Sequence, residues 1–303
     1  MRRLLIALAL VAPTASAADF GPGFAQRMVP VEGCTLSVTV GGKGPAVLFL
    51  HGYAETAQMW KPLAIALAPK FTVVAIDLPG IGDSSIPASG IDMTTSAKRI
   101  HEAMRKLGYE RASVVGHDIG LMVAYAYAAQ YPNEVETLTL MDALLPGIGA
   151  WREVYDAPWP WHFRFYGHTP ELLVKGRERI YFEHFWNDFA ADPKHSIPEA
   201  ERQTYAKAYA KPGRMAAGFA YFASFMKTAD EFAQFGKTRL TMPVTSIGGE
   251  KASGEVLAAQ VNLVSANPTV VIIRGSGHWI MEEKPEETMA AVTRSLEQRT
   301  AQR

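Results

Sequence analysis

The stretch VVGHDIG, residues 114–120, decides how this chain is read. Apolar β-branched residues run into Gly116-His117-Asp118-Ile119-Gly120, and the apolar LMVAYAYAAQYP follows at once. That pattern is a buried strand, a tight turn around a central aspartate, and a buried helix. The spacing has a physical reason. A strand that passes directly into a helix strains the corner residue, and glycines two positions to either side remove side chains that would collide there. The corner side chain then stands at a helix N-terminus, whose partial positive charge favours a carboxylate. Asp118 is therefore a candidate nucleophile. Taken alone, the motif fits a helix N-cap aspartate after a strand equally well.

Two further segments weigh on that choice. Upstream, FLHGYAE (49–55) ends an apolar strand in His-Gly, the form of a loop that turns backbone N–H groups toward a developing oxyanion. The amides of Tyr53 and Ile119 are the candidate donors. Downstream, RGSGHW (274–279) sets His278 on a glycine-rich loop between the last strand-like run and the closing helix. A nucleophile first and a histidine last, each at a strand end, make His278 the candidate general base. Such a base needs an acid to hold its tautomer and stabilise its charged form. Two carboxylates stand at strand ends between nucleophile and base: Asp142 in LTLMDALLP and Glu250 in SIGGEKAS.

From Cys34 to about Leu140 strands and helices alternate. GCTLSVTV, AVLFLHG, FTVVAIDLPG, RASVVGH and VETLTLMDA read as strands; MWKPLAIALAPK, MTTSAKRIHEAMRKLG and LMVAYAYAAQYP read as helices. The second helix should be capped by Thr94, Thr95 or Ser96 and closed by Gly108. Residues 144–237 break the rhythm: they are aromatic, helical in spacing and without a convincing strand. It resumes with MPVTSIGG and TVVIIRGSGH and ends in PEETMAAVTRSLEQ. The pattern predicts an α/β fold, a mostly parallel sheet with helices on both faces. Residues 18–143 and 238–303 form its core, and 144–237 form a helical cap over the carboxyl ends of the strands, where ligands of such sheets sit.

Composition narrows the partners. The 303 residues carry a formal net charge of +0, and no basic run follows Arg2 and Arg3, so nucleic acid is excluded as a partner. MRRLLIALALVAPTASA has the basic start, short apolar run and Ala-Ser-Ala site of an export signal, which predicts removal of residues 1–17 and a periplasmic or secreted protein. Nothing beyond it reads as a membrane span. The single cysteine, Cys34, forms no internal disulfide and reads as strand packing.

With these motifs in this order, the chain resembles the epoxide hydrolase and haloalkane dehalogenase branch of the α/β-hydrolase superfamily. Within it, the chain is most similar to secreted bacterial epoxide hydrolases, through the cap phrases WHFRF, GRERIYFEHF and YAKAYAKP as well as the core motifs. The resemblance implies the α/β-hydrolase fold with its cap inserted after the sixth strand. It implies two steps without cofactor or metal: Asp118 attacks a substrate carbon to form an ester, and water activated by His278 hydrolyses it. It favours Asp142 as the charge-relay acid, because similar enzymes keep theirs at the end of that strand. The phrase that marks the alternative, Gly-Glu-x-Asp at Glu250, here has Ala252 in place of its aspartate. Ring opening in such enzymes uses a His–Tyr pair from the cap. The histidine corresponds to His162; the tyrosine falls on Phe222, which leaves the adjacent Tyr221 as the second candidate donor.

Three departures matter. Ala54 stands where many relatives have proline. Ile119 replaces the halide-cradling tryptophan of haloalkane dehalogenases. Ile119 and Met122 replace the carboxylate-binding arginines of fluoroacetate dehalogenases. The expectation is thus an exported epoxide hydrolase that makes a vicinal diol from a small apolar epoxide, with a homodimer as the assembly to test for. A haloalkane or haloacid dehalogenase with the same Asp–His–acid chemistry is the alternative, and a non-catalytic binding protein on this scaffold is the second. Trp159, Trp161, Phe163, Phe165, Trp186, Phe219 and Phe225 predict an apolar pocket, some of them forming cap core instead. His101, His168, His184 and His195 lack metal-ligand spacing and read as structural.

Overall fold

The computed structural model describes residues 20–298, so the export segment read at residues 1–17 lies outside the described residues. Chain order runs β1 (Phe24–Val31), β2 (Cys34–Gly42), β3 (Ala46–Leu50), α1 (Lys61–Leu67), β4 (Thr72–Ile76), α2 (Met93–Lys106), β5 (Ala112–His117), α3 (Ile119–Gln130) and β6 (Val135–Met141). Among the described residues the strands form one eight-stranded sheet in the order β1-β2-β4-β3-β5-β6-β7-β8, completed by β7 (Val244–Gly249) and β8 (Pro268–Ile273). Only the pairings β1–β2 and β2–β4 are antiparallel. The central strands β3 and β5 are buried along their whole length. Sheets covered by helices on both faces require such near-continuous apolar runs.

Sequence reasoning missed β1. Its residues FAQRMVPV place Gln26 and Arg27 in the middle and leave most positions outside the core, as suits an edge strand paired on one side only. One helix cap is corrected. Asp92, in extended conformation, accepts from Thr95 N–H at 2.9 Å and starts α2, so neither Thr94, Thr95 nor Ser96 is the cap. Gly108, at φ +88°, follows the end of α2, a left-handed stop that favours glycine.

Between β6 and β7 lie six helices: α4 (Trp151–Asp156), α5 (His168–Val174), α6 (Glu178–Asp188), α7 (Glu199–Tyr209), α8 (Arg214–Ala223) and α9 (Phe225–Phe235). After β7 come α10 (Gly254–Val264), then, beyond β8, the short α11 (Ile280–Glu283) and α12 (Pro285–Glu297). The cap therefore follows the sixth strand. Its interior is aromatic: Trp186, Phe219 and Phe225 are fully buried there, while Trp159 is largely exposed. No helix among the described residues is long and apolar enough to cross a membrane.

Candidate active site

The corner after β5 is as tight as the glycine spacing predicts. Asp118 sits at φ 50°, ψ −123°, and is held by its own N–H, which donates to Met141 O at 3.1 Å. A Cβ on Gly116 would overlap the Gly120 carbonyl, and one on Gly120 would overlap the carbonyl oxygens of Leu50 and His51. The strain costs on the order of 1–3 kcal/mol and is maintained by the surrounding packing. It aims the carboxylate out of the sheet at the head of α3.

The loop after β3 answers it. Tyr53 N–H donates to Asp118 Oδ1 at 2.7 Å, and the amide of Ile119 belongs to the first turn of α3, where helix N–H groups lack acceptors along the helix. His51 fixes the turn: it accepts from Leu78 N–H through Nε2 at 3.0 Å and donates from Nδ1 to Gly52 O at 2.8 Å. Ala54 has φ +61°, a conformation closed to the proline found in many relatives, whose ring holds φ near −65°.

His278 follows β8 and joins two carboxylates. Its Nδ1 lies 2.8 Å from Asp142 Oδ2, and its Nε2 lies 3.8 Å from Asp118 Oδ2. Asp142 is 0% exposed, and its other oxygen accepts from Gly249 N–H at 2.9 Å and Ser253 N–H at 3.1 Å. Two hydrogen bonds fix Asp142 before it meets the histidine. Glu250 is corrected as the alternative: its carboxylate accepts from Gly275 N–H at 2.9 Å and faces Arg274 at the surface, away from His278. The His278 loop is braced by the cap, with His278 N–H donating to Phe189 O at 2.8 Å and Glu283 accepting from Ala191 N–H and Gly277 N–H. That brace had no sequence signal, since it joins residues about ninety positions apart.

Behind Asp118 lies a buried ion pair. His117 Nδ1 is 3.0 Å from Glu55 Oε2, and its Nε2 is 3.1 Å from the His278 carbonyl oxygen. Both partners accept, so the ring must donate from both nitrogens and is an imidazolium. Burial pushes its pKa down, but the Glu55 carboxylate outweighs burial and raises it to about 9.

A cavity of about 550 Å³ opens above Asp118 and His278, lined among others by Met122, Leu144, Val154, Phe163, Phe189 and Val256. His162 and Trp159 also line it, so two of the predicted aromatics, Trp159 and Phe163, face it. His162 is 5% exposed, and its Nδ1 is buried without a hydrogen-bond partner among the described residues. Burial drives its pKa down to about 3 against the pull of Asp118, with His184 and His278 adding to the fall, so the ring is neutral. Tyr221 is corrected as a cavity donor. Its hydroxyl donates to Pro79 O at 3.1 Å and lies 3.2 Å from Ser96 Oγ, on the far side of α8 from the cavity. The reason is helical: adjacent residues point about 100° apart, so Phe222, packed 4.7 Å from Tyr53 and 5.4 Å from His162, takes the inward direction.

The chain matches the family described as alpha/beta hydrolase fold over residues 45–285. It is 29% identical over 264 residues to the soluble epoxide hydrolase of Corynebacterium sp. strain C12, covering 84% of this chain and 91% of that one. It is 38% identical over 150 residues to the fluoroacetate dehalogenase of Burkholderia sp., covering 46% of this chain and 49% of that one. The structure of the Cif epoxide hydrolase from Acinetobacter nosocomialis superposes with a TM-score of 0.83 at 24% identity, covering 91% of this chain and 90% of that one, a likeness of fold. The matched span contains the elbow, the cap and the His278 loop. The chain belongs to the α/β-hydrolase fold family and is a hydrolase of the epoxide-hydrolase-like kind.

Proposed function

We propose that this hydrolase converts an apolar epoxide to a vicinal diol through an ester on Asp118. The observation that carries the reading is the division of labour on that carboxylate. Oδ1 is tied to the Tyr53 amide, while Oδ2 stands 3.8 Å from His278 Nε2, too far for a direct hydrogen bond and free to attack. Oδ2 forms a bond to a ring carbon as the C–O bond breaks, and His162 donates a hydrogen bond to the departing oxygen. Water then enters beside His278, which takes its proton while hydroxide attacks the ester carbonyl. The tetrahedral oxyanion is met by the Tyr53 and Ile119 amides; as it collapses the ester C–O bond breaks, the diol leaves with the proton His278 had taken, and Asp142 stabilises the imidazolium until then.

The experiment is a trap. Asp118 attacks without His278, but the ester persists when no base activates water. His278→Gln incubated with epoxides should gain the full mass of the epoxide, on Asp118, by intact-protein and peptide mass spectrometry. Mass on another residue overturns the nucleophile.

A dehalogenase is the second reading, favoured by the local identity to the Burkholderia enzyme. Ile119 and Met122 speak against it, since neither binds halide or carboxylate. Trapping with haloalkanes and haloacids alone, and free halide from the native protein, would establish it. No adduct and no turnover with either class would leave a binding protein.

A further inference from the structure

One carboxylate joins the loop that carries His278 to the cap. Glu283, at the end of α11, accepts through Oε2 from Gly277 N–H at 3.1 Å and from Ala191 N–H at 2.8 Å. Through Oε1 it accepts from Trp279 N–H at 3.2 Å. Gly277 and Trp279 flank the base, and Ala191 belongs to the cap segment just after α6. The same segment reaches back, since Phe189 O accepts from His278 N–H at 2.8 Å. One turn earlier, on α6 itself, Phe185 O accepts from Trp279 Nε1–H at 3.1 Å. Among the described residues, the bonds of Ala191, His278 and the Trp279 ring thus cross one seam between cap and base loop.

Capping a helix accounts for only part of this. A carboxylate that reaches back to the amide at a helix start satisfies an orphan donor, which explains the bond from Trp279. It does not explain why the other oxygen takes one amide from the loop and one from the cap. The fit there is close: a Cβ on Gly277 would stand 2.4 Å from Ala191 N and 2.5 Å from Phe189 O. The same cap segment shapes the site. Phe189 and Ala190 line the cavity, and the Phe189 ring lies 6.3 Å from that of His278. Asp142 orients the His278 ring, whereas the seam sets where the backbone beneath that ring stands.

We propose that Glu283 is a positioning residue for the base: it clasps the cap at Ala191 to the His278 loop and so holds His278 in place for hydrolysis of the ester. The proposal rests on the Asp118 ester of the reading above. Attack on the epoxide uses the Asp118 carboxylate and the cap donor, and His278 takes no part in it. Hydrolysis uses a water set between His278 and the ester carbonyl carbon, and a misplacement of about 1 Å in such a step costs about 10²-fold. The clasp therefore governs the second step and spares the first. Glu283 touches no substrate; it acts through the amides of Gly277, Trp279 and Ala191.

Single-turnover quench measurements on the full protein separate alkylation of Asp118 from hydrolysis of the ester. Glu283→Ala should slow hydrolysis about ten- to hundredfold and leave alkylation within about threefold of native. Its alkylation should still reach a full equivalent of ester, which shows that the variant folds. Gly277→Ala pushes the cap segment away from the other side of the seam and should give the same selective loss. The double variant should be little slower than either single one, because both break one seam. Glu283→Gln keeps the shape and one accepting oxygen, so its hydrolysis rate should fall between native and alanine; it carries the test should the alanine protein fail to fold. Hydrolysis at the native rate, equal slowing of both steps, or losses that multiply in the double variant overturn the clasp while the ester on Asp118 stands. No ester on Asp118 in the native protein or in His278→Gln overturns the epoxide reading and the clasp with it.

Discussion

The floor and the roof of the cavity are built on opposite terms. On the floor, at the sheet edge, the reactive groups are tied before any substrate arrives. Asp118 is held through Oδ1, Asp142 through three hydrogen bonds, and His278 through its ring and its amide. Three floor residues, Ala54, Asp118 and Asp142, accept positive φ to stand where they do. In the roof, aromatic rings pack edge to face, and His162 Nδ1 and His184 Nε2 are buried without hydrogen-bond partners among the described residues. On the proposed function, a bound floor fixes one chemistry. A roof with unspent hydrogen bonds leaves the leaving group to be decided by what enters.

The largest effect that would break this comparison lies in the floor. Asp142→Ser should slow ester hydrolysis by about 10⁴, the loss seen when a triad acid goes, while alkylation persists and the ester accumulates. Glu250→Gln should leave both steps within about twofold of native, because an exposed pair of this kind contributes little. If Glu250→Gln were the slow variant, the floor would not be preorganised as described. Denaturant melts of both proteins are needed beside the kinetics, since Asp142→Ser also strips the amides of Gly249 and Ser253 of their acceptor.

The next effect belongs to the roof. His162→Phe should slow alkylation by epoxides about 10²- to 10³-fold, the range of a removed donor to a developing alkoxide, and leave hydrolysis of a formed ester little changed. A native rate of ring opening in that variant would make His162 packing and end the epoxide half of the reading, with the Asp118 nucleophile intact. Equal slowing of both steps would mean that the roof, like the floor, serves geometry first.

Legibility follows the same divide. The elbow, the oxyanion loop and the histidine loop could be read because each packs a strained turn into five to seven adjacent residues, where steric demand dictates glycine. The acid was harder: Asp142 and Glu250 both end strands, and long-range contacts of Asp142 with His278, Gly249 and Ser253 separate them. The Glu55–His117 pair was invisible, since nothing local marks two turn residues 62 positions apart as partners. The His184–Asp188 contact was on view in the sequence as an i, i+4 pair. Tyr221 failed for a simpler reason. The likeness placed the family position on Phe222, which does face inward, and one residue along a helix turns a side chain by about 100°, so its neighbour could not share that direction.

Tyr221→Phe is the smallest of these effects and the sharpest about where the roof ends. The Tyr221 hydroxyl ties α8 of the cap to Pro79 and Ser96 of the core, fully buried and beyond the cavity wall. Removing it deletes the two hydrogen bonds it makes at the cap–core seam and strands the Pro79 carbonyl, a loss of about 1–2 kcal/mol. The ring and its packing stay. Alkylation and hydrolysis rates should match native at temperatures well below the transition, and the melting temperature should fall by about 2–4 °C for a domain of this size. A clear loss of alkylation at native stability would instead bring Tyr221 back as a donor. It would mean that α8 turns its inner face on binding substrate, and the roof would then be a moving part as well as an unsatisfied one.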